Sequence, residues 1–227
     1  MTEINAVLLD LDGLLLDTEG AYDTAIYRYA VETTGEELAE QEFRTLRSKM
    51  FGRKPEESAN LLVQALGLPE DKATHFLEWR KPILEELFVK AQLLPGAARL
   101  LAYLAEHDIP TAIATSSTKD TYTLKIQRHS EYFSFIGSRV ITAEDVERGK
   151  PHPEAYTKAA ALINAQPSQC LVFEDAPSGV ASGKAAGMHV VAVPHPLLDA
   201  SLVADADTVL PSLEEFSPTE WGLPPLS

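Results

Sequence analysis

Cysteine is almost absent from this chain: Cys170 is the only one among 227 residues. One thiol can form neither an intrachain disulfide nor a CxxC metal pair, and nothing about it points to an oxidising compartment. Its place in the apolar run Cys170-Leu171-Val172-Phe173 marks it as a small buried hydrophobe. Positive charge is scarce too, with 19 Lys+Arg against 34 Asp+Glu and a formal net charge of −15. A surface of that sign repels a phosphate backbone or an anionic leaflet, which argues against nucleic acid and membrane as partners. No apolar stretch approaches the ~18 residues of a membrane span. The segment Met1-Thr2-Glu3-Ile4-Asn5 lacks the basic start of a signal peptide. A cytoplasmic monomer is the expectation.

Several phosphate and metal motifs are missing as well. No GxGxxG follows the first apolar run, so a dinucleotide fold is unsupported. Gly183-Lys184 is followed by Ala185, and only three residues separate Gly179 from Gly183, so this stretch is not a P-loop. Its small residues suit a helix packed closely on a sheet. His75, His107, His129, His152, His189 and His195 show no HExxH or paired ligand spacing.

What is present is ample apolar sequence for a core, 45% of the chain. Short apolar runs suited to buried parallel strands occur at 6–9, 111–114, 139–141, 171–173, 190–193 and 208–210. Helix-patterned sequence separates most of them, as from Pro95 to Glu106 and from Pro153 to Ile163. The alternation predicts an α/β fold: a Rossmann-like core whose parallel sheet is flanked by helices. The rhythm breaks between Thr18 and Lys90, where only helical sequence appears, punctuated by Gly35, Gly52, Pro55, Gly67-Leu68-Pro69 and Pro82. Residues 1–17 and 91–227 are thus expected to form the core, and 18–90 an inserted helical cap. The acidic run Glu36 to Glu42 reads as a solvated helix face.

Ligands of an open parallel sheet bind beyond the carboxyl ends of its strands. Those ends are polar here: Asp10-Leu11-Asp12-Gly13, Thr115-Ser116-Ser117 and Glu174-Asp175, with Lys150 after a further strand. If the first strand continues, Asp10 and Asp12 share a side. Four carboxylates in one place require a hard cation, and Mg²⁺ with its preference for oxygen ligands is the obvious one. A cation beside Lys150 and the Thr115 hydroxyl makes a phosphate site, with one carboxylate free to attack phosphorus and another to move protons. In the predicted cap, Arg53 and Lys54 could be a solvated turn or could grip substrate.

Four segments, Val7 to Glu19, Ala114-Thr115-Ser116-Ser117, Gly149-Lys150-Pro151-His152-Pro153 and Val172 to Val180, resemble in order the four motifs of the haloacid dehalogenase superfamily. The resemblance implies that Asp10 is the nucleophile that becomes an aspartyl phosphate. Asp12 would be the general acid and later the base. Thr115 and the Ser116 backbone N–H would hold the phosphoryl group, and Lys150 would balance charge. Asp10, the Asp12 carbonyl, Glu174 and Asp175 would order Mg²⁺. The insert is similar to the four-helix cap of the β-phosphoglucomutase-like subgroup. Sugar mutases of that subgroup carry a histidine and a cap arginine where this chain has Tyr22 and Pro55. Segments such as Phe51-Gly52-Arg53-Lys54, Leu124 to His129 and Ala186-Gly187-Met188 are most similar to a branch of pseudouridine-5′-phosphatases and glycerol-3-phosphatase-like enzymes. The chain departs from that branch at Thr142-Ala143-Glu144-Asp145, where Gly-Asp-Asp-Pro is common. The expected function is a Mg²⁺-dependent phosphatase of a small phosphorylated metabolite, pseudouridine 5′-phosphate or a similar nucleotide or polyol phosphate. A phosphosugar mutase or sugar-phosphate phosphatase of the same subgroup, and a catalytically silent binding protein, are the alternatives.

Overall fold

A computed structural model of the chain describes residues 4–50, 53 and 55–226. Strands β1 (Ala6–Leu9), β2 (Thr111–Ala114), β3 (Val140–Ile141), β4 (Cys170–Glu174), β5 (His189–Ala192) and β6 (Thr208–Val209) form one sheet in the order β3-β2-β1-β4-β5-β6. Every neighbouring pair is parallel. Four helices follow β1: α1 (Glu19–Thr34), α2 (Glu40–Met50), α3 (Pro55–Ala65) and α4 (Lys72–Phe88). The rest are α5 (Ala97–Glu106), α6 (Lys119–Ile126), α7 (Ser130–Phe133), α8 (Glu154–Leu162) and α9 (Pro177–Ala185). The α/β alternation read from the sequence is therefore present strand for strand.

Alternation along each strand decides what covers each face. Val7 and Leu9, Ile113, Leu171 and Phe173 pack with Leu100, Leu101 and Leu104 of α5. Ala6, Leu8, Ala112, Val172 and Val190 point the other way, onto Tyr156, Ala159 and Ala160 of α8 and Val180 of α9. Both faces are dry, so the strands read as continuous apolar runs rather than alternating ones. Cys170 is buried on the second face, as its flanking residues implied.

The four helices after β1 hold a separate apolar cluster of Ile26, Tyr29, Phe43, Leu46, Leu62 and Phe76. A smaller cluster of Ala21, Ala25, Leu84 and Phe88 takes in Leu124 of α6, so this helical segment rests on a core helix. Pro82 lies inside α4 rather than ending it. Proline removes one N–H donor and costs roughly 3 kcal/mol in a helix interior, which burial of Phe76, Leu84 and Phe88 on either side offsets.

Candidate active site

Because β2, β1 and β4 are adjacent and parallel, their carboxyl ends bring Thr115, Asp10 and Glu174 side by side. Lys150, beyond β3, extends into this group. Its Nζ donates to Asp10 Oδ1 at 2.6 Å, Glu174 Oε1 at 2.5 Å and the Ala114 carbonyl at 2.9 Å. Tyr156 donates its hydroxyl proton to the same Glu174 oxygen at 2.6 Å, and its ring lies 4.8 Å from the ammonium. Glu174 Oε2 accepts the backbone N–H groups of Asp175 and Ala176. Glycines make room for these acids. A Cβ on Gly179 would sit 1.8 Å from the Glu174 carboxylate, and one on Gly13, whose φ is +76°, would meet Asp175 Oδ2 at 2.3 Å.

Carboxylate oxygens of Asp10, Glu174 and Asp175 lie within 4.8 Å of one another. Three such groups around one ammonium leave an excess of negative charge. Burial, and then the neighbouring acids Glu174 and Asp12, push Asp10 up to about 7 against the pull of Lys150. Burial, then Asp10 and Glu174, raise Asp175 well above the carboxylate range. Burial works against the charge on Lys150, yet Asp10 and Glu174 carry its pKa above the usual lysine value. A buried all-oxygen set with surplus charge fits a hard divalent cation.

Asp12 stands apart from that trio. The strand ends at Leu9, and the two aspartates engage different cations. Asp12 Oδ1 accepts from Lys125 Nζ at 2.5 Å, while Oδ2 accepts from Ser117 Oγ at 2.9 Å and more weakly from Thr115 Oγ1 at 3.3 Å. Burial would raise its pKa, but Lys125 and the Ser117 hydroxyl hold it below the ordinary value. Thr115 also accepts the Ser117 N–H at 3.0 Å. Ser116 is exposed at the strand end. The helix cap after this strand is Thr118, whose side chain accepts from Thr121 N, so Thr115 and Ser117 are free to serve the site.

Lys125, Ser117 and Tyr156 received no role from sequence. Ser117 was within reach, since it belongs to the polar strand end. Lys125 and Tyr156 lie on helices where no spacing rule marks them.

Arg53 lines a cavity of about 230 Å³ within the helical segment, together with Glu19, Tyr22, Arg47, Pro55 and Arg80. Its guanidinium is exposed, donating to the Lys49 carbonyl at 2.6 Å and standing 3.5 Å from Glu57. Lys54 lies outside the described residues. Asp12 lies close enough for its charge to bear on Glu19 and Tyr22, and burial followed by that charge raises Tyr22 to about 12. Arg80 lies over the rings of Tyr22 and Phe76 at 5.6 and 5.3 Å. Two residues of the cavity lining, Glu19 and Tyr22, are thus within electrostatic reach of Asp12.

A family model described as haloacid dehalogenase-like hydrolase matches residues 4–187. The chain belongs to that family. It is 42% identical over 233 aligned residues to (DL)-glycerol-3-phosphatase 2 of Arabidopsis thaliana, covering 98% of this chain and 92% of that protein. It is 36% identical to a probable pseudouridine-5′-phosphatase of Drosophila melanogaster, covering 99% and 96% of the two. Among solved structures, a hydrolase of the same family from Deinococcus radiodurans, with bound phosphate and sodium, superposes with a TM-score of 0.80 at 29% identity. That match covers 99% of this chain and all of the other.

Proposed function

We propose that this protein hydrolyses a small phosphomonoester through a covalent intermediate on Asp10, with Mg²⁺ as cofactor. Its class, a phosphoric monoester hydrolase of small-molecule phosphates, follows from its family and from relatives named as phosphatases. The observation that carries the mechanism is the 2.6 Å pairing of Asp10 with Lys150 inside the Asp10–Glu174–Asp175 group. It supports reading Asp10 as a nucleophile beside a fixed cation, with an acid set that could hold a metal at the same strand ends.

Asp10, the Asp12 carbonyl, Glu174 and Asp175 would hold Mg²⁺, which when bound neutralises charge on the phosphoryl oxygens. Lys150 would share that task, and Thr115 with the Ser116 N–H would donate hydrogen bonds to the same oxygens. In the first step a carboxylate oxygen of Asp10 forms a bond to phosphorus, the bond to the ester oxygen breaks, and Asp12, which enters this step protonated although Lys125 and Ser117 favour its anion, gives that oxygen its proton. In the second, Asp12 takes a proton from water, the water oxygen bonds to phosphorus, and the Asp10–phosphorus bond breaks. Inorganic phosphate leaves and the Asp10 carboxylate is restored.

The helices from Glu19 to Phe88 act in this reading as a cap over the strand ends that excludes bulk water. A cavity of about 230 Å³ is small beside the ~300–1,000 Å³ of drug-sized sites, which favours a small leaving group such as a polyol or pseudouridine. Tyr22 and Pro55 line it where a mutase of the β-phosphoglucomutase-like subgroup would carry histidine and arginine, which favours hydrolysis over re-transfer.

Phosphate release from p-nitrophenyl phosphate and from a panel of phosphorylated metabolites, with Mg²⁺ or with EDTA, tests the proposal. The expected result is Mg²⁺-dependent turnover that Asp10→Asn lowers by about 10³-fold or more while the variant stays folded, because an amide is a poor nucleophile and a poor Mg²⁺ ligand. A folded Asp10→Asn enzyme within tenfold of the parent (about 1.4 kcal/mol in the barrier) would overturn the covalent mechanism.

A further inference from the structure

Lys125 is a buried ammonium to which the reaction above gives no part. Its side chain is 2% exposed, and an ammonium in such a place is costly unless it is paired and hydrogen-bonded. A position needing only bulk would be filled at lower cost by leucine or methionine. The pairing here is specific: Nζ donates to Asp12 Oδ1 at 2.5 Å and to Ser117 Oγ at 2.8 Å. Ser117 in turn donates to Asp12 Oδ2 at 2.9 Å. The two residues grip opposite oxygens of one carboxylate and so fix its plane.

The third contact of Lys125 belongs to a different part of the molecule. Its Nζ lies 4.2 Å from the ring centroid of Phe88, the last residue of α4. A cation over an aromatic face is attracted to it, more strongly where water is excluded. Phe88 packs in one cluster with Ala21, Ala25 and Leu84, and meets Tyr22 edge-on at 5.8 Å. Leu124, beside Lys125 in the chain, packs on the same cluster. One turn of α6 therefore supports the helical segment and carries the cation that holds Asp12.

We propose that Lys125 is a positioning residue: it orients the Asp12 carboxylate for proton transfer and, through Phe88, ties that orientation to the seating of the four-helix segment. The proposal rests on the phosphatase reading, in which Asp12 handles the proton.

The test compares wild type, Asp12→Asn, Lys125→Met, Lys125→Arg, Phe88→Leu and the Lys125→Met/Phe88→Leu double variant. Each is assayed with Mg²⁺ on the alkyl phosphate turned over best in the metabolite panel and on p-nitrophenyl phosphate. General acid–base catalysis contributes about 10²–10⁴-fold, so loss of its orientation in Lys125→Met should lower kcat on the alkyl ester by about 10–100-fold. KM should stay within about threefold. The loss should be several-fold smaller on p-nitrophenyl phosphate, whose leaving group needs little protonation. Lys125→Arg should recover part of the rate. Phe88→Leu should cost about threefold alone and nothing more once Lys125 is gone, since two residues acting through one contact are non-additive.

A kcat for Lys125→Met within twofold of wild type, equal losses on both esters, or a change confined to KM overturns the positioning role. Additive effects of the two substitutions overturn the link to the helical segment. If Lys125→Met does not fold, Lys125→Arg and Phe88→Leu decide, and neither showing the ester-dependent split overturns the proposal. The phosphatase reading fails separately, by an inactive wild type or a fully active Asp12→Asn on the alkyl ester.

Discussion

Charge is handled in opposite ways at the strand ends and in the helical segment. At the strand ends the side chains of Lys150, Asp10 and Glu174 are 6, 9 and 1% exposed, and Lys150 meets both acids at 2.5–2.6 Å. Arg53 and Glu57, on the helical segment, are 51 and 52% exposed and stand 3.5 Å apart. Among the described residues of the segment, Arg47 is handled like the strand-end charges, buried and paired with Glu19 and Asp23. A buried charge stripped of its partner costs several kcal/mol, whereas an exposed pair contributes about 0–1 kcal/mol. The strand-end site is thus intolerant of change, and the rim of the helical segment is free to vary.

Lys150→Met should break this contrast most severely. It leaves Asp10 and Glu174 buried without their cation, so a loss of about 3–5 kcal/mol in urea unfolding is expected, together with loss of turnover. A variant as stable as the parent would show that the acids reach water or another cation, and that the two regions do not differ as described.

A pH series sharpens the comparison next. Without a divalent ion, Asp10 titrates near 7 and Asp175 is also raised, so between about pH 4 and 7 the folded chain holds protons that the unfolded chain releases. The contribution of Asp10 to stability is therefore present at low pH and is lost as pH rises through about 7, and the raised Asp175 acts in the same direction. Mg²⁺ competes with those protons, and its stabilising effect should be larger at pH 8 than at pH 5 in thermal melts. An equal Tm gain at both values would remove the acid trio as the binding set.

Arg53→Ala should have the smallest effect on stability, within about 0.5 kcal/mol, because its guanidinium is exposed. Its expected signature is kinetic: a raised KM or lowered kcat/KM for the best substrate of the panel, and less change with p-nitrophenyl phosphate. Unchanged kinetics on both would make Arg53 a solvated turn residue.

The strands, the helices between them and the polar residues that end each strand were legible because they depend on local pattern. Val7 and Leu9 take one face and Leu8 the other whatever lies elsewhere, and Asp10 and Thr115 follow their strands directly while Glu174 ends its own. Pro82 punctuates the helical pattern without interrupting α4, because burial there outweighs a local cost that the sequence shows without its compensation. Thr115-Ser116-Ser117 resembles a helix cap, and only the next residue, Thr118, proves to be one.

By itself the sequence determined the chemistry on offer: an acidic surface, one inert thiol, a parallel sheet and a set of acids, hydroxyls and a lysine at its strand ends. Which carboxylate meets which cation was decided by the tertiary structure. Asp10 meets a lysine 140 residues away and Asp12 another 113 residues away. Tyr156 reaches Glu174 from a helix that first had to dock on the sheet. Local pattern fixes the face of a strand or the start of a helix, but a buried ion pair depends on how helices rotate and settle against the sheet. That arrangement minimises the cost of burying charge over the whole core at once, and no short stretch of sequence contains it.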